Sequence, residues 1–171
     1  MQFHPGSIDG VIWKPLRKYS DRRGWLCELF RHDEMPAEFL PVMAYISATD
    51  PGIARGPHEH VDQADYFCFI GPSDFKVYLW DNRPNSLTLG HKEVRIVGES
   101  SPFALIVPAG VVHAYQNVGK GQGIVFNAPN RLYKGPGKKE PVDEIRHEDQ
   151  ADSFFRLDES SDRCNSNQPD T

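Results

Sequence analysis

The sequence predicts an all-β protein, an antiparallel sandwich or barrel with few and short helices. Fourteen prolines and fourteen glycines divide its 171 residues into short segments. These segments are rich in β-branched and aromatic residues and follow one another at short, regular spacing, which is typical of such folds. No segment with helical periodicity is long enough to cover a sheet, so sheet must pack against sheet.

The candidate elements can be read in order along the chain. Residues 11–17 and 25–30 are predicted to be strands around a turn at 20–24, and residues 32–39 contain one helical turn. Further strands are predicted at 42–48, 65–71, 75–81, 91–97, 103–110, 112–118 and 123–129. We expect one domain over residues 1–158 and a polar, disordered tail over 159–171.

The bulk composition excludes several classes of function. A net charge of −5 leaves no basic surplus for a nucleic-acid partner. No apolar run approaches the length of a membrane span, and the first residues lack the apolar region of a signal peptide. The three cysteines form no close pair, which indicates free thiols. We therefore expect a cytoplasmic protein without a nucleic-acid or membrane partner.

Two histidine-containing clusters carry the chemistry. The first runs from Arg55 through His58 to His60, and the second is the pattern P-x-G-x-x-H-x-x-x-N over residues 108–117, with His113 as its histidine. Together they resemble the two motifs of the cupin superfamily, which implies a double-stranded β-helix, or jelly-roll barrel. The first motif lacks its acidic residue, because Ala64 holds the expected position between Gln63 and Asp65. Residues two apart on a strand share a face, so His58 and His60 both point into the barrel.

Further segments, in the right order, resemble the dTDP-4-dehydrorhamnose 3,5-epimerase family. Its pattern D-x-R-G-aromatic-x-x-E is matched at residues 21–28, and its R-G-x-H at 55–58. Its pattern D-x-R-x-x-S-x-T-x-G is matched at 81–90, and residues 145–149 are similar to its I-R-W-N-D. The resemblance covers residues 20 to 155, which is most of the folded chain.

The resemblance implies an epimerase that inverts C3, or C3 and C5, of a nucleotide-linked 4-keto-6-deoxyhexose in polysaccharide biosynthesis, without a cofactor. The C4 ketone acidifies these C–H bonds, so a base can form an enolate that an acid reprotonates on the other face. The family's base corresponds to His58, paired with Asp149. Its substrate-contacting and pocket positions correspond to Arg23, Glu28, Arg55, His60, Asp81 and His113.

The chain departs from the family where acid chemistry is needed. Phe126 stands at the position of the catalytic tyrosine, and no lysine follows the first motif. The proton donor is therefore expected to be Tyr45, which should face the cavity on the strand before Arg55. Tyr133, in a loop, or water is the alternative, and Tyr133 is expected to lie outside the cavity.

Other functions stay open beside the epimerase. The pair His58 and His60 favours a 3,4-ketoisomerase, since related ketoisomerases carry two histidines at this spacing. With His113 these imidazoles form a candidate Zn, Fe, Mn or Ni site of a metal-dependent cupin such as a dioxygenase, although the family's main reaction implies no metal. A sugar-binding cupin without activity is a further alternative. Exposed sheet edges predict a homodimer with Arg23 and Glu28 near a pocket edge.

Overall fold

Strands make up most of the ordered backbone in the computed structural model, which describes residues 2–158. The predicted tail at 159–171 lies outside the described residues. In chain order the strands are β1 (His4–Pro5), β2 (Ile12–Pro15), β3 (Lys18–Asp21), β4 (Gly24–Cys27), β5 (Tyr45–Thr49), β6 (Ala54–Glu59), β7 (Asp65–Phe69), β8 (Asp74–Asp81), β9 (His91–Gly98), β10 (Phe103–Val107), β11 (Val111–Asn117), β12 (Gly123–Asn127) and β13 (Ile145–Arg146). The helical turns within residues 2–158 are two short 3-10 helices, His32–Glu34 and Pro136–Lys138, so the all-β prediction is confirmed.

Two sheets face each other and form the barrel. The first has six strands in the order β1-β9-β8-β11-β6-β13, and the second has five in the order β2-β10-β7-β12-β5. Strands that are distant in sequence are neighbours in both sheets, as in β11 beside β6 and β10 beside β7. This arrangement confirms the jelly roll that the two motifs imply.

The main core lies between the two sheets. Phe67 and Phe69 of β7 pack there against Leu79 of β8 and Tyr115 of β11, all buried. Tyr66 and Cys68, which alternate with them on β7, point to the opposite face of the sheet. The alternation on β7 therefore fixes which residues can reach the interior of the barrel.

The outer faces of both sheets are also covered. Phe39 and the chain around Leu29 pack over Tyr66 and Cys68, and burial raises the pKa of the Cys68 thiol to about 12. On the other sheet a cluster that includes Trp80 and Phe155 covers β8 and β11. Because β7 and β8 are buried on both faces, their sequences read as nearly continuous apolar runs.

One predicted pairing is wrong. The strands expected at 11–17 and 25–30 do not pair around the turn at 20–24, because β2 joins the second sheet beside β10. A separate hairpin of β3 and β4 forms around that turn instead. None of the helices within residues 2–158 is long and apolar enough to span a membrane.

Candidate active site

A cavity of about 940 Å³ opens at one end of the barrel. Side chains of β5, β6 and β7 form its inner wall, and residues 129–148 form its rim. Among the predicted site residues, those that line it are Tyr45, Arg55, His58, His60 and Tyr133. A space of this size is adequate for a ligand larger than a simple sugar.

Three imidazoles come together at the inner wall. His58 lies on β6 directly opposite His113 of β11, and their ring centroids are 4.5 Å apart. His60 follows the end of β6, and its ring centroid is 5.7 Å from both other rings. His113 is buried behind the cavity surface and contacts His58 directly. The expectation that the two cupin motifs meet inside the barrel therefore agrees with the geometry.

Gly56 lets β6 approach β11 closely enough for this arrangement. Its φ is +81°, and a Cβ at this position would lie 2.5 Å from the carbonyl oxygen of His113. Any other side chain would push the strands apart. A register irregularity in β11 between His113 and Tyr115 accompanies the close approach.

Asp65 is the acidic residue that appeared to be missing from the first motif. It opens β7 with its side chain turned inward, and its Oδ2 lies 3.1 Å from Nε2 of His60 and 3.4 Å from Nε2 of His113. Ala64, at the position expected for the acid, packs on the outer face of the sheet. The alternation of Phe67 and Phe69 on β7 was the signal that could have identified Asp65 from the sequence.

The neighbours of the two cavity-lining histidines drive their protonation in opposite directions. Burial, together with the proximity of His113 and His60, lowers the pKa of His58 to about 2, so its ring is neutral. Burial alone would also lower the pKa of His60, but the Asp65 carboxylate outweighs it and raises this pKa to about 9. The same two-sided balance holds the pKa of Asp65 below its ordinary value, because the nearby imidazoles of His113 and His60 together outweigh its burial.

The predicted pairing of Asp149 with His58 is not formed. Nδ1 of His58 is buried without a hydrogen-bond partner, whereas Asp149 is exposed and accepts a 2.9 Å hydrogen bond from Nε of Arg146. The carboxylates that approach Nδ1 are Glu148 at 3.8 Å and Glu144 at 3.9 Å. Glu148 faces His58 in place of Asp149 because, in the turn after β13, the Glu148 main-chain N–H donates a hydrogen bond to the Pro57 carbonyl.

The structure places both candidate tyrosines, Tyr45 and Tyr133, at the cavity. Tyr45 lines the cavity, and its hydroxyl accepts a 2.8 Å hydrogen bond from Asn127. Burial raises its pKa to about 12, with a further contribution from Asp65. Tyr133 also lines the cavity, contrary to expectation, since residues 129–148 fold over its mouth. Phe126 packs on the outer face of the sheet, so the β12 side chain that reaches the site is Asn127.

Cationic side chains line the cavity together with acidic ones such as Glu144 and Glu148. Arg55 is held by hydrogen bonds from Nε to the Thr49 hydroxyl and from an Nη to the Ala48 carbonyl. Four more cations at the rim are Arg131, Lys134, Lys138 and Arg146. Paired oxygens of a phosphate or diphosphate are suitable partners for such arginines.

Three predicted substrate-contacting residues lie elsewhere. Arg23 sits at the tip of the β3–β4 hairpin in an ion pair with Asp21, and Glu28 lies 3.7 Å from an Arg31 nitrogen. Neither lines the cavity of its own chain. Asp81 is buried in a network with Arg83 at the end of β8, also away from the cavity. The sequence patterns could not show which space these side chains face.

Comparison with known proteins agrees with the fold. A jelly roll with histidines of two facing strands inside the barrel defines a cupin, and the family model described as dTDP-4-dehydrorhamnose 3,5-epimerase matches residues 5–151. The chain belongs to the dTDP-4-dehydrorhamnose 3,5-epimerase family. It is therefore a nucleotide-sugar epimerase by family, as the sequence motifs predict.

Two curated relatives are similar over most of the chain. The spore coat polysaccharide biosynthesis protein SpsL of Bacillus subtilis is 38% identical over 113 residues, which cover 66% of this chain and 74% of SpsL. The probable low-salt glycan biosynthesis epimerase Agl13 of Haloferax volcanii is 33% identical over 129 residues, covering 74% of this chain and 81% of Agl13.

Solved structures share the fold at lower sequence identity. The dTDP sugar isomerase of Desulfovibrio desulfuricans superposes with a TM-score of 0.71 at 20% identity, covering 81% of this chain and 84% of its own. NovW, a 4-keto-6-deoxy sugar epimerase of Streptomyces spheroides, gives a TM-score of 0.68 at 22% identity, covering 85% and 73%. These likenesses confirm the cupin jelly roll.

Proposed function

We propose that the chain inverts C3, or C3 and C5, of a nucleotide-linked 4-keto-6-deoxyhexose, with His58 as the base. The observation that carries the proposal is the position of the His58 imidazole, which lines the cavity beside two carboxylates, Glu144 and Glu148. A neutral imidazole accepts a proton from the carbon next to the ketone. Negative charges 3.8–3.9 Å away stabilise the imidazolium that results.

The substrate class is supported by the size and charge of the cavity. A volume of about 940 Å³ accommodates a nucleoside diphosphate sugar. The rim arginines and lysines supply donors for the diphosphate, and Arg55 supplies a fixed positive charge near the enolate oxygen. The names of SpsL and Agl13 support a role in polysaccharide or glycan biosynthesis. We further propose that the enzyme works in the cytoplasm, where nucleotide sugars are expected as substrates.

Solvent-proton exchange tests the reaction. Incubation in D₂O with dTDP-, CDP- and GDP-linked 4-keto-6-deoxy sugars should place deuterium at C3, or at C3 and C5, while the ketone stays at C4. His58→Ala should lower the rate by at least about 10²-fold, the usual contribution of a general base. The exposed His32 provides a matched control, since His32→Ala should leave the rate and the circular dichroism spectrum unchanged. If His58→Ala exchanged the substrate protons at the wild-type rate, the assignment of His58 as the base would be refuted.

A 3,4-ketoisomerase is the second candidate. His60 lines the cavity beside His58, so two imidazoles face the same ligand space and one can serve each of the neighbouring carbons C3 and C4. Product analysis by NMR separates the two reactions. An epimerase inverts a centre and keeps the C4 ketone, whereas a ketoisomerase moves the ketone to C3.

A further inference from the structure

Glu59 and His147 form a buried pair outside the cavity. Nε2 of His147 donates a 2.9 Å hydrogen bond to Oε1 of Glu59, and the Asn82 amide donates to the same oxygen at 3.3 Å. Each residue of the pair is 8% exposed, and neither lines the cavity. Such a pair is seldom more stable than apolar side chains of the same size, so its hydrogen bond points to a role in orientation.

His147 is the buried anchor of the turn that follows β13. This strand has only two residues, both exposed, and its register with β6 places Arg146 opposite His58. Among residues 144–150, His147 alone is buried, and its ring packs against Phe155 with the ring centroids 4.5 Å apart. A short exposed edge strand has few contacts of its own, so the position of the turn depends on the His147 side chain.

The two neighbours His147 and Glu148 lie on opposite faces of β6. Along that strand His58 faces the cavity and Glu59 faces away from it, as alternation on a strand requires. His147 contacts Glu59, whereas Oε1 of Glu148 lies 3.8 Å from Nδ1 of His58. The other close partner of Glu148 is Arg146, at 3.1 Å, whose side chain is itself 53% exposed. The buried contact of His147 therefore determines that Glu148 points into the cavity.

We propose that Glu59 and His147 position the Glu148 carboxylate against His58. The inference rests on the proposed function, in which that carboxylate stabilises the imidazolium formed when His58 takes a proton. His147 lies outside the cavity, so it is a positioning residue that acts through Glu148. The chain departs from the pattern I-R-W-N-D at these two positions, where the pattern has Trp and Asn. The arrangement is thus a feature of this chain rather than of the pattern.

Steady-state kinetics of the full-length chain test the positioning role. His147→Phe keeps a ring against Phe155 but removes the donor to Glu59, so kcat should fall about tenfold or more while KM changes little, because a displaced carboxylate affects the transition state rather than binding. His147→Gln should recover most of kcat, since its amide Nε2 can donate to Glu59. His91 is the matched control: it is half-buried on β9 and bonded to the Ser7 carbonyl, and His91→Phe should keep both constants.

A double-variant cycle separates positioning from a merely structural role. Glu148→Gln should lower kcat by a factor similar to that of His147→Phe, and combining the two should cost nothing further, because both remove the same interaction. Should His147→Phe fail to fold with Glu59 left unpaired, adding Glu59→Leu removes the buried charge, and the same loss of kcat is expected. A double variant that is slower by the product of the two factors, or a raised KM with unchanged kcat, would overturn the positioning role.

Crystal structures of the wild type and of His147→Phe give a readout that needs no activity. In the variant, Oε1 of Glu148 should lie farther from Nδ1 of His58 than 3.8 Å, with the carboxylate turned towards solvent. An unmoved Glu148 would overturn the positioning role whatever the kinetics. A displaced Glu148, together with a wild type that neither inverts nor exchanges any 4-keto-6-deoxy sugar, would refute the proposed function and leave the positioning of Glu148 by His147 in place.

Discussion

The carboxylate of Asp81 is fully buried and satisfied by its own loop. Its two oxygens accept hydrogen bonds from the Arg83 main chain and guanidinium, and from the hydroxyls of Ser86 and Thr88 at 2.6 Å. Burial favours the neutral form, but these donors outweigh it and hold the pKa of Asp81 below its ordinary value. The motif D-x-R-x-x-S-x-T-x-G thus forms a loop whose arginine, serine and threonine all hydrogen-bond to the carboxylate of Asp81.

Asp81→Asn should therefore destabilise the protein and leave catalysis unchanged. Removing one partner of a buried ion pair costs about 3 kcal/mol. The carboxylate contributes stability above its unfolded pKa of about 3.9, and this contribution is lost as the pH falls towards the depressed folded pKa. Urea unfolding should show a large difference from wild type at pH 7 that narrows below about pH 3.9. A variant with normal stability but lower kcat would instead show that Asp81 takes part in catalysis.

The sequence predicted single residues best where a motif fixes the backbone. His58, His60 and His113 lie together because β6 and β11 are neighbours, as the two cupin motifs imply. Asp65 was misjudged because counting along the motif does not determine the face, which the burial of Phe67 and Phe69 does. Asp149 was misplaced for the same reason, since a turn after β13 decides which acid faces His58.

Strands β5 and β12 act as one element at the cavity wall. Their antiparallel register places Tyr45 opposite Asn127, and the Asn127 amide bonds both the Tyr45 hydroxyl and the Asp65 carboxylate. The phenol is thereby fixed in the cavity, and with a pKa of about 12 it keeps its proton at neutral pH. This pairing makes Tyr45 a suitable donor to the enolate carbon.

Tyr45→Phe should lower epimerisation by about 10²-fold or more, the usual contribution of a general acid. Proton abstraction by His58 does not need the phenol, so exchange of the substrate C–H with D₂O should be retained in part. The ratio of exchange to inversion, measured by NMR, is the readout. Tyr133→Phe is the matched control, because Tyr133 lines the same cavity from the rim. If only Tyr133→Phe loses inversion, Tyr133 is the proton donor and Tyr45 is not.

Long strands were predictable and short ones were not. The segments predicted at 65–71, 75–81, 91–97 and 112–118 became β7, β8, β9 and β11 with shifts of one or two residues at their ends, because buried apolar runs bounded by turns specify them. β1, β3 and β13 have two to four residues each and exist through pairing with a partner strand. Their sequences contain too few residues for any periodicity to show.

Apolar side chains remain exposed on the edge strand β5 and on the β3–β4 hairpin. β5 is the last strand of its sheet, and Ile46 on its outer face is 68% exposed. The β3–β4 hairpin exposes Trp25 and Leu26. An unpaired strand edge with exposed apolar groups is a frequent site of subunit association. The hairpin also holds Arg23 outside the cavity of its own chain. In a dimer, Arg23 could instead lie at the edge of the partner's cavity.

We therefore predict a homodimer in which the hairpin of one protomer lies near a cavity edge of its partner. Light scattering should give twice the chain mass at micromolar concentration, and Ile46→Lys should shift the protein towards monomer because it places a charge on the apolar edge. Arg23→Ala should keep the dimer and raise KM with little change in kcat, since a diphosphate contact acts equally in ground and transition states. A monomeric wild type, or an Arg23→Ala variant with unchanged KM, would contradict this arrangement and leave the nucleotide to the rim cations of a single chain.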